Sequence, residues 1–217
     1  MEVILIRHLA TPGNEKRRYI GRTDESLSGC AVSAFREQQG GPAAVPYPRI
    51  QCLAASPMRR CQQTAELIWP EVTVQTDPLL RECDFGRFEG KTYEDLKDEP
   101  DYIRWLGSGG MTAFPEGESQ EDFRARCGLG VRKWIRRWIE EGVDRAAFVV
   151  HGGTIMAALS RMAEGEHSFY DWQAGNGCGY LAEADEEEWK SGTEILRHIR
   201  QIGWKNRKNR MEEKERC

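Results

Sequence analysis

Short apolar runs that stop at polar turns alternate along the chain with stretches whose apolar residues recur at helical spacing. Ile4-Leu5-Ile6 runs straight into Arg7 and His8, Ile50–Ala54 into Ser56, and the wholly apolar Ala146–Val150 into His151. Val72–Thr76 and Thr193–Ile199 read as further strands, and Asn176–Tyr180 as a loop entering another. Between them the spacing predicts a helix over Ala31–Gln39. A second starts with Ser56 as cap and Pro57 at its first position, burying Met58, Cys61, Ala65 and Ile68. Thr92–Leu106 reads as a helix kinked at Pro100, with Leu96, Ile103 and Leu106 inward. Ser119 to Asp122 resembles a capping box. It opens a long helix with a stripe of Phe123, Cys127, Val131, Trp134, Ile135, Trp138 and Ile139, closed by Gly142. A last helix reaches Met162. Such alternation predicts an α/β layered fold.

No repeat or low-complexity linker interrupts the pattern, so residues 1–204 are expected to form one domain. Lys205 to Cys217, nearly devoid of apolar residues, reads as a polar tail. With 39% hydrophobic and 30% charged residues, the chain has the composition of a globular domain. Its first residues lack the features of a secretory leader and no run is long enough to span a bilayer, so the expected address is cytoplasmic, without a membrane. A net charge of −4 gives no reason to expect nucleic acid as a partner. Seven cysteines include no C-x-x-C pair and no histidine at metal-ligand spacing, which favours reduced thiols in the core and no metal site.

The candidate chemistry lies where strands end. His8 and His151 each follow an apolar strand and precede a turn into helix, the position at which ligands bind in open α/β sheets. Arg59 and Arg60 open the helix after the second strand, where free N–H groups already favour an anion. The two project about 100° apart, so only one can face the site. Arg17, Arg18 and Arg22 form either a solvated rim or an attractant for an anion. His167 and His198 lack such settings and read as surface or structural residues.

Taken in order, these segments resemble the signatures of the histidine phosphatase superfamily, which includes cofactor-dependent phosphoglycerate mutases and α-ribazole phosphatases. Arg7-His8-x-x-Thr11-x-x-Asn14 resembles the first-histidine motif, and Ser56-Pro57-Met58-Arg59-Arg60 the second motif, whose register selects Arg60. Leu80-Arg81-Glu82-x-Asp84-Phe85-Gly86 is similar to the acid-bearing loop in its phosphatase form, and Val150-His151-Gly152-Gly153-Thr154 to the second-histidine motif. One residue departs from the pattern: Leu9 stands where the family usually has glycine, which tolerates close backbone approach, so the pocket floor is expected to differ.

The resemblance implies a three-layer sandwich with a central, mostly parallel sheet flanked by helices, as in phosphoglycerate mutases. It also implies phosphomonoester hydrolysis of a small phosphorylated metabolite through a phosphohistidine on His8, without cofactor or metal. Arg7, Arg60 and His151 would bind the phosphoryl oxygens, Asn14 would hold the phosphate or His8, and Glu82 would be the general acid and base. Tyr19, Arg22, Phe88 and the loops around Met111 and Trp172 are candidates for a specificity pocket. Two alternatives stay open: a cofactor-dependent phosphoglycerate mutase, and a catalytically weak phosphate-binding regulator, the latter raised by Leu9. Oligomeric state is not legible in the sequence.

Overall fold

The computed structural model describes residues 1–40 and 47–203. Part of the Pro42–Pro48 connector and the tail from Lys205 lie outside the described residues. Six strands, β1 (Glu2–Arg7), β2 (Cys52–Ala55), β3 (Val74–Thr76), β4 (Arg145–Val150), β5 (Cys178–Ala184) and β6 (Leu196–Gly203), form one sheet in the order β3-β2-β4-β1-β5-β6. The pairs among β3, β2, β4 and β1 are parallel, whereas β5 runs antiparallel to both β1 and β6. Eight helices, α1 (Pro12–Glu15), α2 (Gly29–Gln39), α3 (Arg59–Ile68), α4 (Tyr93–Leu96), α5 (Pro100–Gly107), α6 (Gln120–Glu140), α7 (Gly152–Met162) and α8 (Glu186–Lys190), complete the described regular structure, with short 3-10 turns between. The expected α/β sandwich with a mostly parallel sheet is therefore present.

The period-2 geometry of a strand divides the core into two layers. Val3 and Leu5 of β1 join one buried cluster with Trp134, Trp138, Ile155 and Leu159 of α6 and α7. Ile4 and Ile6 point to the other face, into a cluster with Cys61, Ala65 and Trp69 from α3 and the residue after it. Buried on both faces, the interiors of β1 and β4 are wholly apolar, and polar side chains appear only at their ends, with Arg7, His8 and His151 at the carboxyl ends.

Several elements depart from expectation. The helix after β2 starts at Arg59 and not at Pro57. Its cap position is Met58, without a side-chain bond, and the Arg59 N–H at the first turn is accepted by Asp24 Oδ1 at 2.7 Å. The 92–106 segment is two helices: Thr92 caps α4 through a reciprocal bond with Asp95, and Pro100 opens α5. That restart resets the helical register. Tyr102 and Trp105 are buried, while Ile103 and Leu106 stand 55% and 47% exposed, opposite to the predicted face. A short helix not predicted from the spacing, α1, follows β1, and its Thr11 cap accepts from the Asn14 backbone N–H. The last strand begins at Leu196, three residues beyond Thr193. By contrast, every residue of the α6 stripe is buried, and Gly142 terminates the helix with φ of +69°.

Candidate active site

Parallel pairing of β1 with β4 sets Arg7 opposite Val150, so the next residues, His8 and His151, leave the sheet side by side. The His8 backbone N–H donates to the Val150 carbonyl at 3.0 Å, and the two imidazole centroids are 5.2 Å apart. On the other side of β4, β2 delivers Ser56, whose N–H donates to the Val149 carbonyl at 3.1 Å. Three adjacent strand ends thus form the floor of the site.

Hydrogen bonds assign the tautomers. The Leu9 carbonyl can only accept, so the 2.7 Å contact from His8 Nδ1 places the proton there and leaves the Nε2 lone pair available. At His151, Arg60 Nε donates to Nδ1 at 3.3 Å, so Nε2 carries the proton and donates to Ser56 Oγ at 2.8 Å. Burial, reinforced by the charges of Arg60 and Arg7, drives the His8 pKa well below the ordinary imidazole value. Burial, then Arg60 and His8, does the same to His151. Both rings are therefore neutral near neutral pH.

Two guanidinium groups face these rings. Arg60 is completely buried, whereas its neighbour Arg59 is exposed, as helix geometry requires. Arg60 donates to the carbonyls of Thr23 and Gly21 at 2.7 and 2.9 Å, which draws the 21–23 loop over the site. Glu89 secures the same loop by accepting the N–H groups of Gly21 and Thr23 at 2.9 Å each. Arg7 donates to the Ala174 carbonyl at 2.8 Å, while its buried Nε has no hydrogen-bond partner among the described residues. Neither arginine forms an ion pair within 4.0 Å among those residues, although buried charges ordinarily are paired.

Glu82 enters from the loop after the 3-10 turn Pro78–Leu80. Its carboxylate accepts the N–H groups of Cys83 and Gly153, each at 3.0 Å. Burial raises its pKa against those bonds and against Arg60 and Arg7. Gly153 is required by close approach: a Cβ there would stand 2.2 Å from Glu82 Oε1. Arg126 of α6 fixes the loop by donating to the carbonyls of Leu79 and Arg81 at 3.0 and 3.1 Å, while Glu118 anchors its guanidinium at 2.8 Å.

Asn14 lies beside His8. Its Oδ1 accepts from the Thr11 N–H at 3.2 Å and from Asn176 Nδ2 at 3.3 Å, and Asn176 Nδ2 also donates to the His8 carbonyl at 2.9 Å. Leu9 does not contribute its side chain to the pocket. It is fully buried against Phe35 in a separate small cluster, its N–H donates to Thr64 Oγ1 at 3.0 Å, and its φ is not left-handed. The expected change in the pocket floor is therefore not found.

A cavity of about 340 Å³ opens beside Arg7 and Glu82. Tyr19 lines it, with its hydroxyl 2.8 Å from that of Tyr102. The other two pocket candidates do not. Arg22 pairs with Asp84 at 3.6 Å, and Phe88 is buried behind the wall at 2% exposure. The loops around Met111 and Trp172 do reach it, through Phe114 from the first and Phe169 and Tyr170 from the second, although Met111 and Trp172 themselves are not in the lining, and Trp105 joins them. His167 is exposed with its ring against Trp172, and His198 is exposed on β6. Sequence reasoning missed Ser56 as the partner of His151, and the Gly153 N–H, Asn176 and Gln120. Only the Ser56 position, at the end of an apolar run, carried a signal.

Comparison with known proteins accords with this geometry. A provisionally named phosphoserine phosphatase 2 of Hydrogenobacter thermophilus is 28% identical over 159 residues, covering 71% of this chain and 75% of that protein. A probable phosphoglycerate mutase of an Enterobacter species is 32% identical over 158 residues, 70% of each. The α-ribazole phosphatase of Shigella flexneri shares the fold, with a TM-score of 0.75 at 20% identity over 94% of this chain and 96% of that one. The chain spans about half the length, 54%, of some other curated relatives it matches. The model of the histidine phosphatase superfamily, branch 1, matches residues 3–193, and the chain belongs to that family as an enzyme of the histidine phosphatase type.

Proposed function

We propose that the chain hydrolyses phosphomonoesters of a small metabolite through a phosphohistidine on His8. The observation that carries this reading is that the buried Arg60 and the part-buried Arg7, whose Nε is buried and unbonded, form no ion pair among the described residues, next to a neutral imidazole with its Nε2 lone pair available. A phosphate dianion supplies the missing counter-charge, and arginine offers it paired donors in a plane. In the first displacement His8 Nε2 forms a bond to phosphorus as the ester P–O bond breaks, and the leaving oxygen takes a proton from Glu82. In the second, Glu82 accepts a proton from water as the water oxygen bonds phosphorus and the N–P bond breaks. Arg7, Arg60 and His151 bind the phosphoryl oxygens, the His151 Nε2–H passing from Ser56 Oγ to the phosphate on binding, and Asn14 acts through the turn that carries His8. The raised pKa of Glu82 suits the acid role, and the buried thiols of Cys61, Cys83 and Cys127 suit a cytoplasmic address.

Incubation with p-nitrophenyl phosphate tests the reading: turnover is expected, with an acid-labile, base-stable phosphoenzyme that His8→Ala lacks. Turnover equal in His8→Ala, or a phosphoserine in place of phosphohistidine, would overturn it. A mutase reading is favoured by the 32% identity to a probable phosphoglycerate mutase. Interconversion of 3-phosphoglycerate in the presence of a bisphosphorylated primer would establish it.

A further inference from the structure

The cavity beside the phosphate site is built of rings. Phe85 stacks edge-on to Tyr19 and to Phe114, both at 5.2 Å between centroids, and Trp105 lies 5.1 Å from Phe114; Phe123 and Phe169 complete the wall. Among the described residues that line the cavity, Arg7 and Glu82 are the only charged ones, and both belong to the phosphate end. Two of the lining residues, Trp105 and Gln120, 9% and 7% exposed, each carry a buried polar atom, Nε1 and Oε1, without a hydrogen-bond partner among the described residues. Buried polar atoms are ordinarily bonded, so each marks a place where a ligand group belongs. Trp105 can only donate, whereas the Gln120 carboxamide presents an acceptor.

We infer that this cavity takes the alcohol portion of the substrate, and that this portion is an uncharged, ring-sized apolar group bearing a neutral hydrogen-bonding substituent. The inference rests on the phosphatase reading of the adjoining site. A volume of about 340 Å³ accommodates a ring with a short linker. The carboxylate of phosphoglycerate, or the carboxylate and ammonium of phosphoserine, would enter a wall of aromatic rings with no charged partner beyond the phosphate end, and lose its hydration there. An aromatic or alicyclic group loses nothing on entry and gains edge-to-face contact with Phe85, Phe114 and Trp105. A hydroxyl or amide on that group satisfies Gln120 and Trp105. A site with unpaired buried polar groups discriminates strongly against an analogue that lacks the matching substituent.

The test compares alkyl esters, whose leaving groups differ little in basicity: 2-phenylethyl phosphate, 2-(4-hydroxyphenyl)ethyl phosphate, phosphoserine and 3-phosphoglycerate. For the wild-type protein, kcat/KM for the two aromatic esters is expected to exceed that of the two charged esters by at least about 100-fold. The hydroxylated ester should lead its parent by about tenfold, a lead that shrinks in Gln120→Leu and Trp105→Phe. Turnover that requires His8 yet favours phosphoserine or 3-phosphoglycerate would overturn the inference while leaving the phosphatase reading standing. Absence of turnover on every ester would overturn the phosphatase reading. The cavity is then judged by binding of 2-phenylethanol against serine and glycerate, followed by tryptophan fluorescence with Trp105→Phe as control. Binding of 2-phenylethanol that depends on Trp105 supports the inference, and its failure to bind overturns it.

Discussion

Each reactive side chain owes its state to one or two bonds. The Leu9 carbonyl orients the His8 ring, and the Ser56 hydroxyl holds the His151 proton on Nε2. Ser56→Ala removes the acceptor of the His151 Nε2–H and leaves the ring held only through Nδ1 by Arg60. On p-nitrophenyl phosphate we expect a loss in kcat of about 10–100-fold, below the roughly 100–1,000-fold cost of removing a donor that touches the transition state itself. Glu82→Gln should slow alkyl esters far more than nitrophenyl esters, because nitrophenolate leaves with little need of a proton. Equal losses on both would remove Glu82 from the acid role. Leu9 illustrates how far a single residue can be read. Its identity marks a departure from the family pattern, yet its burial beside Phe35 makes it a packing residue. Leu9→Ala is therefore expected to cost about 2–5 kcal/mol in urea denaturation, as large-to-small changes in cores do. A stability unchanged from wild type would contradict that placement. Direction of a side chain depends on the turn that carries it, and no periodicity extends across Arg7-His8-Leu9-Ala10 to reveal it.

At the scale of elements, the site is an assembly of strand ends clamped by loops. The long helix α6 does more than fill the core, since Arg126 holds three stretches together: the 79–81 backbone, Glu118 and, through the loop, Glu82. Replacing Arg126 by Met should displace Glu82, reducing kcat on alkyl esters and shifting the pH profile of that reaction, with less effect on nitrophenyl esters. Unchanged profiles would show that the loop holds its place without the clamp. Strands and the α6 stripe were legible because periods of 2 and 3.6 are imposed by burial on local sequence. The segment at 92–106 was not, since Pro100 restarts the helix and Tyr102 and Trp105 then meet rings contributed from three other loops by Tyr19, Phe88 and Phe114. A helix face is chosen by what it packs against.

For the whole molecule, the buried cations and neutral histidines link stability to anions and to pH. Inorganic phosphate should raise the unfolding free energy by RT ln(1 + [L]/Kd), about 2.7 kcal/mol at 100 times Kd, with the gain lost in Arg7→Met. Because the folded pKa values of His8 and His151 lie below the unfolded value of about 6.5, the unfolded chain binds more protons on acidification. Their contribution to stability is complete above that value and is lost as pH falls below it toward the folded values. Glu82 has the opposite sign: its raised pKa favours the folded state below the ordinary carboxyl value, and that contribution is lost as pH rises through the folded pKa. Urea midpoints measured from pH 7.5 to 5.5 should fall, and fall less in His151→Asn. The sequence by itself determined the α/β class, the strand ends and the candidate site residues, because burial and motif spacing are written locally. Only the tertiary structure decided that β1 and β4 are neighbours, which tautomer each histidine holds, which side of Leu9 faces the core, and which rings form the cavity. Those are contacts between residues far apart in the chain, set by strand order and packing, and no local pattern encodes them.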